Sequence, residues 1–175
     1  MIQPEDAQPI AIVDVHYSGD SARAACIVAP EWGACDAAET RVSEISGVRP
    51  YVPGRFFERE LPCIVDVLAK VTSRFGTIVI DGYVHLDEHG KPGLGGHLYV
   101  HYGGSHPVVG VAKSAFGQHP SARQVFRGGS KRPLFVTAEG VEAGEAARLV
   151  SAMHGAHRIP TLLGMADRIA RGLRG

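Results

Sequence analysis

Three carboxylates in this chain stand where carboxylates are least expected. Asp14 interrupts the apolar run Ala11-Ile12-Val13-Asp14-Val15, and Asp81 ends the β-branched run Thr77-Ile78-Val79-Ile80. Glu60 falls on or beside the apolar stripe of a helix that opens after Gly54. An ionised acid taken out of water alone is costly unless a cation or hydrogen bonds compensate it. Brought together by a fold, three such acids outline a site for a hard divalent cation, Mg²⁺ with Mn²⁺ as a substitute, because oxygen donors select these over zinc. Such an ion polarises a phosphoryl oxygen and lowers the pKa of an attacking water, the two needs of phosphodiester hydrolysis. Lys113, closing the run Val108-Val109-Gly110-Val111-Ala112, is suited to neutralise charge developing on the phosphate. Each residue also has a plainer reading. Glu60 can pair with Arg59 or Arg74, Asp81-Gly82 can mark a turn, and Lys113 can be a surface lysine; on the residues alone these stay open.

The segment Pro50–Pro62 adds a second kind of group. Tyr51 sits on the stiff turn Val52-Pro53-Gly54, immediately before the helix that carries Glu60. An exposed aromatic on a rigid turn beside a metal site is suited to prying at a nucleic-acid duplex. Other chemistries find less support. His85 and His89 have i,i+4 spacing but lie in a Gly/Pro-rich stretch, and neither H-E-x-x-H nor a Cys/His pair is present, so zinc is set aside. Cys26, Cys35 and Cys63 are odd in number, without C-x-x-C spacing, which fits a reducing cytosol. Gly93-Leu94-Gly95-Gly96 is followed by no G-K-[ST], so it is not a phosphate-cradling P-loop.

The elements that must position these groups follow from periodicity. Pro9–Tyr17, Arg23–Ala29 and Ala38–Ser46 read as strands joined by short turns, an antiparallel meander. From Gly54 the period changes: Phe57, Leu61, Ile64, Val65, Leu68 and Val71 recur at three and four, predicting a helix that ends near Gly76. Thr77–Ile80 and Val108–Ala112 read as strands covered on both faces. Gly82–Gly96 reads as a loop, followed by an unassigned apolar stretch to Tyr102. Gln124–Arg127 and Arg132–Thr137 read as a hairpin around Gly128-Gly129-Ser130, and Val141–His154 and Leu162–Arg171 as helices. The expected architecture is a single α/β domain over residues 1–175, a mixed sheet with helices packed on it, led by a flexible N-terminus at residues 1–8.

Composition agrees. At 175 residues with 45% hydrophobic and 21% charged content, the chain can bury a core and is not of the disordered class. With 18 basic and 18 acidic residues the net charge is zero, so nothing global draws it to nucleic acid. The cations are nonetheless uneven: Lys113, Arg123, Arg127, Lys131, Arg132 and Arg158 fall in the second half and allow a basic face. No apolar run approaches the length of a membrane span, and no signal peptide is evident. A cytoplasmic monomer without membrane attachment is expected.

Several segments, taken in order, carry a resemblance. They are Ile12-Val13-Asp14-Val15 with Tyr17; Pro50-Tyr51-Val52-Pro53-Gly54 running without a gap into Arg59-Glu60-Leu61-Pro62; and Val79-Ile80-Asp81-Gly82. Gly110-Val111-Ala112-Lys113, Arg132–Thr137 and Arg158-Ile159-Pro160 with Ala166-Asp167-Arg168 complete the series. Together they resemble the endonuclease V family, deoxyinosine-directed nucleases with an RNase H-like fold, from Ala11 to about Arg168. The resemblance implies that Asp14, Glu60 and Asp81 hold Mg²⁺, that Lys113 assists, and that Asp167 approaches as an auxiliary acid. It makes Tyr51 a wedge, with Pro53, Gly54, Arg59, Gly82 and His97 as further nucleic-acid contacts. The implied activity is hydrolysis of the second phosphodiester 3′ of a deaminated purine in DNA, leaving a 3′-hydroxyl and a 5′-phosphate, with inosine in RNA an open alternative. A nucleic-acid-binding relative without turnover, or a Mg²⁺ nuclease for flaps, mismatches or single strands, are the other readings. The chain departs from the family after Asp81, where Tyr83-Val84 replaces H-G and Asp87 stands in place of a later histidine that His85 or His89 would have to supply.

Overall fold

The computed structural model describes residues 8–173 except 118 and 120. The expected flexible lead therefore lies, apart from Gln8, outside the described residues. The meander forms as expected: β1 (Ile10–Ser18), β2 (Ser21–Ala29) and β3 (Glu39–Ile45) pair antiparallel in sequence. Gly19 turns the first hairpin with a φ of 62°, a value glycine reaches without a Cβ clash. The helix α1 (Phe56–Leu68) then crosses to β4 (Thr77–Asp81), which lies parallel beside β1. After α2 (Leu94–His101), β5 (Val108–Ala112) adds parallel to β4. The strands β6 (Arg123–Val125) and β7 (Leu134–Glu139) close the sheet antiparallel, and α3 (Ala143–Ala152) and α4 (Thr161–Ala170) end the chain.

The result is one seven-stranded mixed sheet in the order β3-β2-β1-β4-β5-β7-β6 with helices on both faces, as the fold class predicted. Strand alternation builds two cores. Ile10, Ile12, Val79, Val109 and Val111 face α3 and α4, whereas Ala11, Val13, Ile78, Ile80 and Val108 face α1 and α2. β1 and β4 therefore carry unbroken apolar runs because both faces are covered. Among the described residues no helix is long and apolar enough to cross a membrane.

Three expectations need correction. The helix predicted to run to Gly76 stops at Leu68, because the Glu39 carboxylate accepts from the backbone N–H groups of Thr72 (2.9 Å) and Ser73 (2.7 Å) and draws the chain off the helical path. The loop predicted over Gly82–Gly96 holds the start of α2. Its glycines hid it from propensity, and packing explains them: a Cβ at Gly95 would lie 2.7 Å from Val84 Cγ2, and one at Gly96 2.9 Å from the Val84 carbonyl. Finally, the β6–β7 hairpin is closed by the pair Val125↔Leu134, so the first strand ends before Arg127. Arg127 turns inward, only 8% exposed, and its guanidinium donates to the carbonyls of Ser151, Met153, Gly155, His157 and Arg158. That clamp fixes the α3–α4 connection and is bonded entirely to carbonyl oxygen.

Candidate active site

Strand register places the acids. The last paired residues of β1 and β4 are Val13 and Ile80, so Asp14 and Asp81 follow them at the same end of adjacent parallel strands, where ligands collect in open α/β sheets. Lys113 leaves β5 two residues past Val111, which pairs with Asp81. Asp14, Asp81 and Lys113 line one narrow cleft, roofed by Leu163 and Ala166 of α4. Lys113 Nζ donates to Asp81 Oδ2 at 2.7 Å and stands 3.9 Å from Asp167 Oδ1. Asp167 is held in turn by Arg171 Nε, at 3.1 Å from each of its oxygens. Below the lysine, Arg158 donates to the carbonyls of Lys113 and Pro133 and fixes the backbone there.

The electrostatics identify the strained members. Burial, then the charge of Asp81, pushes the Asp14 carboxyl up to about 7, against the pull of Lys113 and a 2.8 Å hydrogen bond from the Val15 N–H. Glu60, on α1, is 5% exposed and does not itself line this cleft, but lies close enough to Asp14 and Asp81 to feel their charge. Burial, with Asp14 and Asp81 next, raises its carboxyl well above the ordinary range, and its Oε2 has no hydrogen-bond partner among the described residues. The salt bridge to Arg59 or Arg74 is not formed: Arg59 instead lies over the Tyr17 ring, 3.8 Å from its centroid. For Lys113, burial alone would lower the pKa, but the hydrogen bond and charge of Asp81, with Asp14 and Asp167, hold it above its usual value.

Among the described residues no three His, Cys, Asp or Glu side chains already form a metal-binding group. The donor chemistry nevertheless fits a hard cation. Glu60 offers an orphaned buried oxygen, the charge of Asp81 raises both Asp14 and Glu60, Asp14 raises Glu60 further, and all three supply only carboxylate oxygen.

Beside the cleft lies a pocket of about 380 Å³. Gly82, directly after Asp81, forms part of its wall, together with Gly54, Phe57, Tyr83, Leu86, Leu94 and Phe116. Tyr51, 57% exposed, stands on the rim with Phe56 edge-on at 6.1 Å between ring centroids. The Tyr83 hydroxyl donates to the Ser114 carbonyl (2.9 Å) and accepts from the Phe116 N–H (3.1 Å), fastening this wall to the chain after Lys113. Gly110 makes room for it: a Cβ there would come within 2.9 Å of Thr137 Oγ1 and 3.0 Å of the Val84 N. Of the remaining expected contacts, Pro53 is exposed beside Gly54 but does not line the pocket. His97 stacks on Phe57 at 3.6 Å, behind the wall. Neither His85, paired with Glu139 at 2.8 Å, nor the exposed His89 reaches the cleft or pocket. Tyr83, Leu86 and Phe116 were not foreseen; a lone aromatic in a glycine-rich stretch was the available signal for Phe116.

The family profile described as Endonuclease V matches residues 2–144. The chain belongs to the endonuclease V family. It is 37% identical over 139 residues to endonuclease V of Streptomyces coelicolor, a stretch covering 78% of this chain and 56% of that protein. The matched stretch spans about half the length of such curated relatives, 50% for the Pyrococcus abyssi protein. Among solved structures, endonuclease V of Streptomyces avermitilis superposes with a TM-score of 0.81 at 28% identity, covering 97% of this chain and 82% of that one. The Ciona intestinalis endonuclease V, crystallised with a 23mer DNA containing an inosine followed by a ribo-adenosine, shares the fold (TM-score 0.76, 17% identity, 94% of this chain and 84% of that one).

Proposed function

We propose that this endonuclease V relative is a Mg²⁺-dependent endonuclease that hydrolyses the second phosphodiester 3′ of deoxyinosine in DNA, leaving a 3′-hydroxyl and a 5′-phosphate. The observation that carries this reading is a single sheet end. There Lys113 bridges Asp81 and Asp167, and half-buried Asp14 and buried Glu60 stand with no ion-pair partner among the described residues, beside an aromatic-rimmed pocket. Asp14, Glu60 and Asp81 are the residues that would hold the cation; when bound, it polarises the phosphoryl oxygen and favours hydroxide at an attacking water. Lys113 Nζ, kept protonated by its acids, presents positive charge to the phosphate as negative charge builds there. Asp167, braced by Arg171, holds the lysine in that position.

Tyr51 and Phe56 insert at the lesion, where a weakly paired hypoxanthine is cheap to extrude, and the extruded base enters the pocket. Its walls are apolar side chains and glycine backbone, so base edges are read by peptide groups around Gly54, Gly82 and Gly93 while rings stack on Tyr83 or Phe116. The inosine-containing DNA bound by the Ciona protein supports the substrate class.

The test is incubation of end-labelled oligonucleotides carrying one inosine with protein and Mg²⁺, beside undamaged, abasic and flap controls. Nicking one nucleotide past the inosine, lost in Asp81→Ala, is the expected result. Tyr51→Ala is expected to weaken lesion binding about tenfold, within the worth of one aromatic–base stack; unchanged binding and nicking would remove the wedge role. The Asp81–Lys113 ion pair favours one other reading, a binding relative without turnover. Inosine-dependent binding with no nicking would select it.

A further inference from the structure

The acid cleft has a second neighbour. Lys113 lines the cleft and also a second, open groove of about 310 Å³, whose other walls include Lys131, Arg132, Phe135 and Arg158. The base pocket adjoins the cleft through Gly82, after Asp81, whereas the groove adjoins it through Lys113. Pocket and groove thus each stand next to the acids.

The groove is built rather than incidental. Arg158 donates to the carbonyls of Arg132, Pro133 and Lys113, tying the β6–β7 connection to the backbone of the catalytic lysine. With Arg158 committed to those carbonyls, the exposed side chains of Lys131 and Arg132 stand beside it with no ion-pair partner among the described residues. In a chain of zero net charge, this is a local concentration of four cations without an acid in the lining. Phe135, half-buried between them, gives the floor an apolar surface.

We propose that this groove binds the nucleic-acid strand 3′ of the scissile bond, with Lys131 and Arg132 on its phosphates. The assignment rests on the proposed function in one respect, the polarity of the cut. If the extruded base occupies the pocket and the bond broken lies 3′ of it at the acids, the strand continues past Lys113 into the groove. Contacts there are to the backbone, so they add affinity and salt dependence without reading sequence.

The test measures binding of metal-free protein, in EDTA, to fluorescent single-inosine oligonucleotides carrying either a long or a minimal 3′ flank. The variant is Lys131→Ala/Arg132→Ala; both side chains are exposed, and an unchanged thermal midpoint checks its fold. The wild type is expected to bind the long 3′ flank about tenfold more tightly than the minimal one, and the variant to lose that gain together with about 1 to 2 units of salt slope. A variant that keeps the gain overturns the groove, as does one that loses an equal gain from a lengthened 5′ flank. Nicking at inosine is scored separately. Nicking with the flank gain retained in the variant removes the groove alone, while no nicking with the gain lost in the variant removes the hydrolytic reading and leaves the groove.

Discussion

Replacing Asp14 by asparagine separates what the site does from what it costs the fold. The Asp14 carboxyl is raised from 3.8 to about 7, chiefly by burial. The folded protein therefore binds this proton more tightly than the unfolded chain does. Its contribution to stability is complete below about pH 4 and is lost as the pH rises through 7. Each tenfold difference in proton affinity is worth about 1.4 kcal/mol, so the full loss is about 4 kcal/mol, an upper figure that relaxation around the ionised acid will reduce. Asparagine keeps the shape and stays neutral at every pH. In urea unfolding with EDTA present, Asp14→Asn is expected to gain on the wild type by about 3 kcal/mol between about pH 5 and pH 8. Added Mg²⁺ should then stabilise the wild type more than the variant, because a ligand of the folded state shifts only the protein that holds it. A stability gap that does not change with pH, or a variant less stable at the alkaline end, would refute the account of Asp14 as a buried acid awaiting a cation.

Two further perturbations test the scaffold. Arg127→Lys keeps the charge but cannot reach five carbonyls from one ammonium; a loss of about 3–5 kcal/mol in chemical unfolding is expected, and a loss under about 1 kcal/mol would mean that the clamp is incidental. Glu39 is the opposite of Asp14: hydrogen bonds from Ser73 and Thr72 hold its carboxyl down, to about 2. Its stabilising effect is present above pH 4.5 and disappears as the pH falls toward 2. Glu39→Gln should therefore be less stable than wild type near neutrality and equal to it near pH 2, and acid titrations of the two that run parallel would contradict this.

The acids were legible in the sequence because each broke a pattern that apolar burial would otherwise have kept. A carboxylate among Val and Ile residues announces a compensating partner, whatever the fold. The meander, the two parallel strands and the terminal helices were equally open to periodicity. What escaped was decided by contacts between segments distant in sequence. The glycines of α2 look helix-breaking until Val84 is seen lying against them. The end of α1 depends on Glu39, more than thirty residues away in sequence. Arg127 read as a strand residue because no local signal says that five carbonyls wait for it. The pocket walls escaped for a related reason: Tyr83 and Phe116 come together through the Ser114 carbonyl and the Phe116 N–H, a closure that neither stretch encodes alone.

The pairing of β1 with β4 has a consequence for how this molecule can vary in length. Asp14 and Asp81 each follow directly on a fixed pair, Val13 with Ile80. Because side chains alternate faces, inserting or deleting one residue in either strand would swing its acid to the opposite side of the sheet and carry the whole apolar register with it. Loops have no such index. The exposed turn at 88–90, beyond the Leu86–Lys91 hydrogen bond, can therefore gain or lose residues beside the pocket while both acids stay where they are. In this architecture the pocket's rim is free to drift by insertion, and the pair of strand acids can change only by substitution.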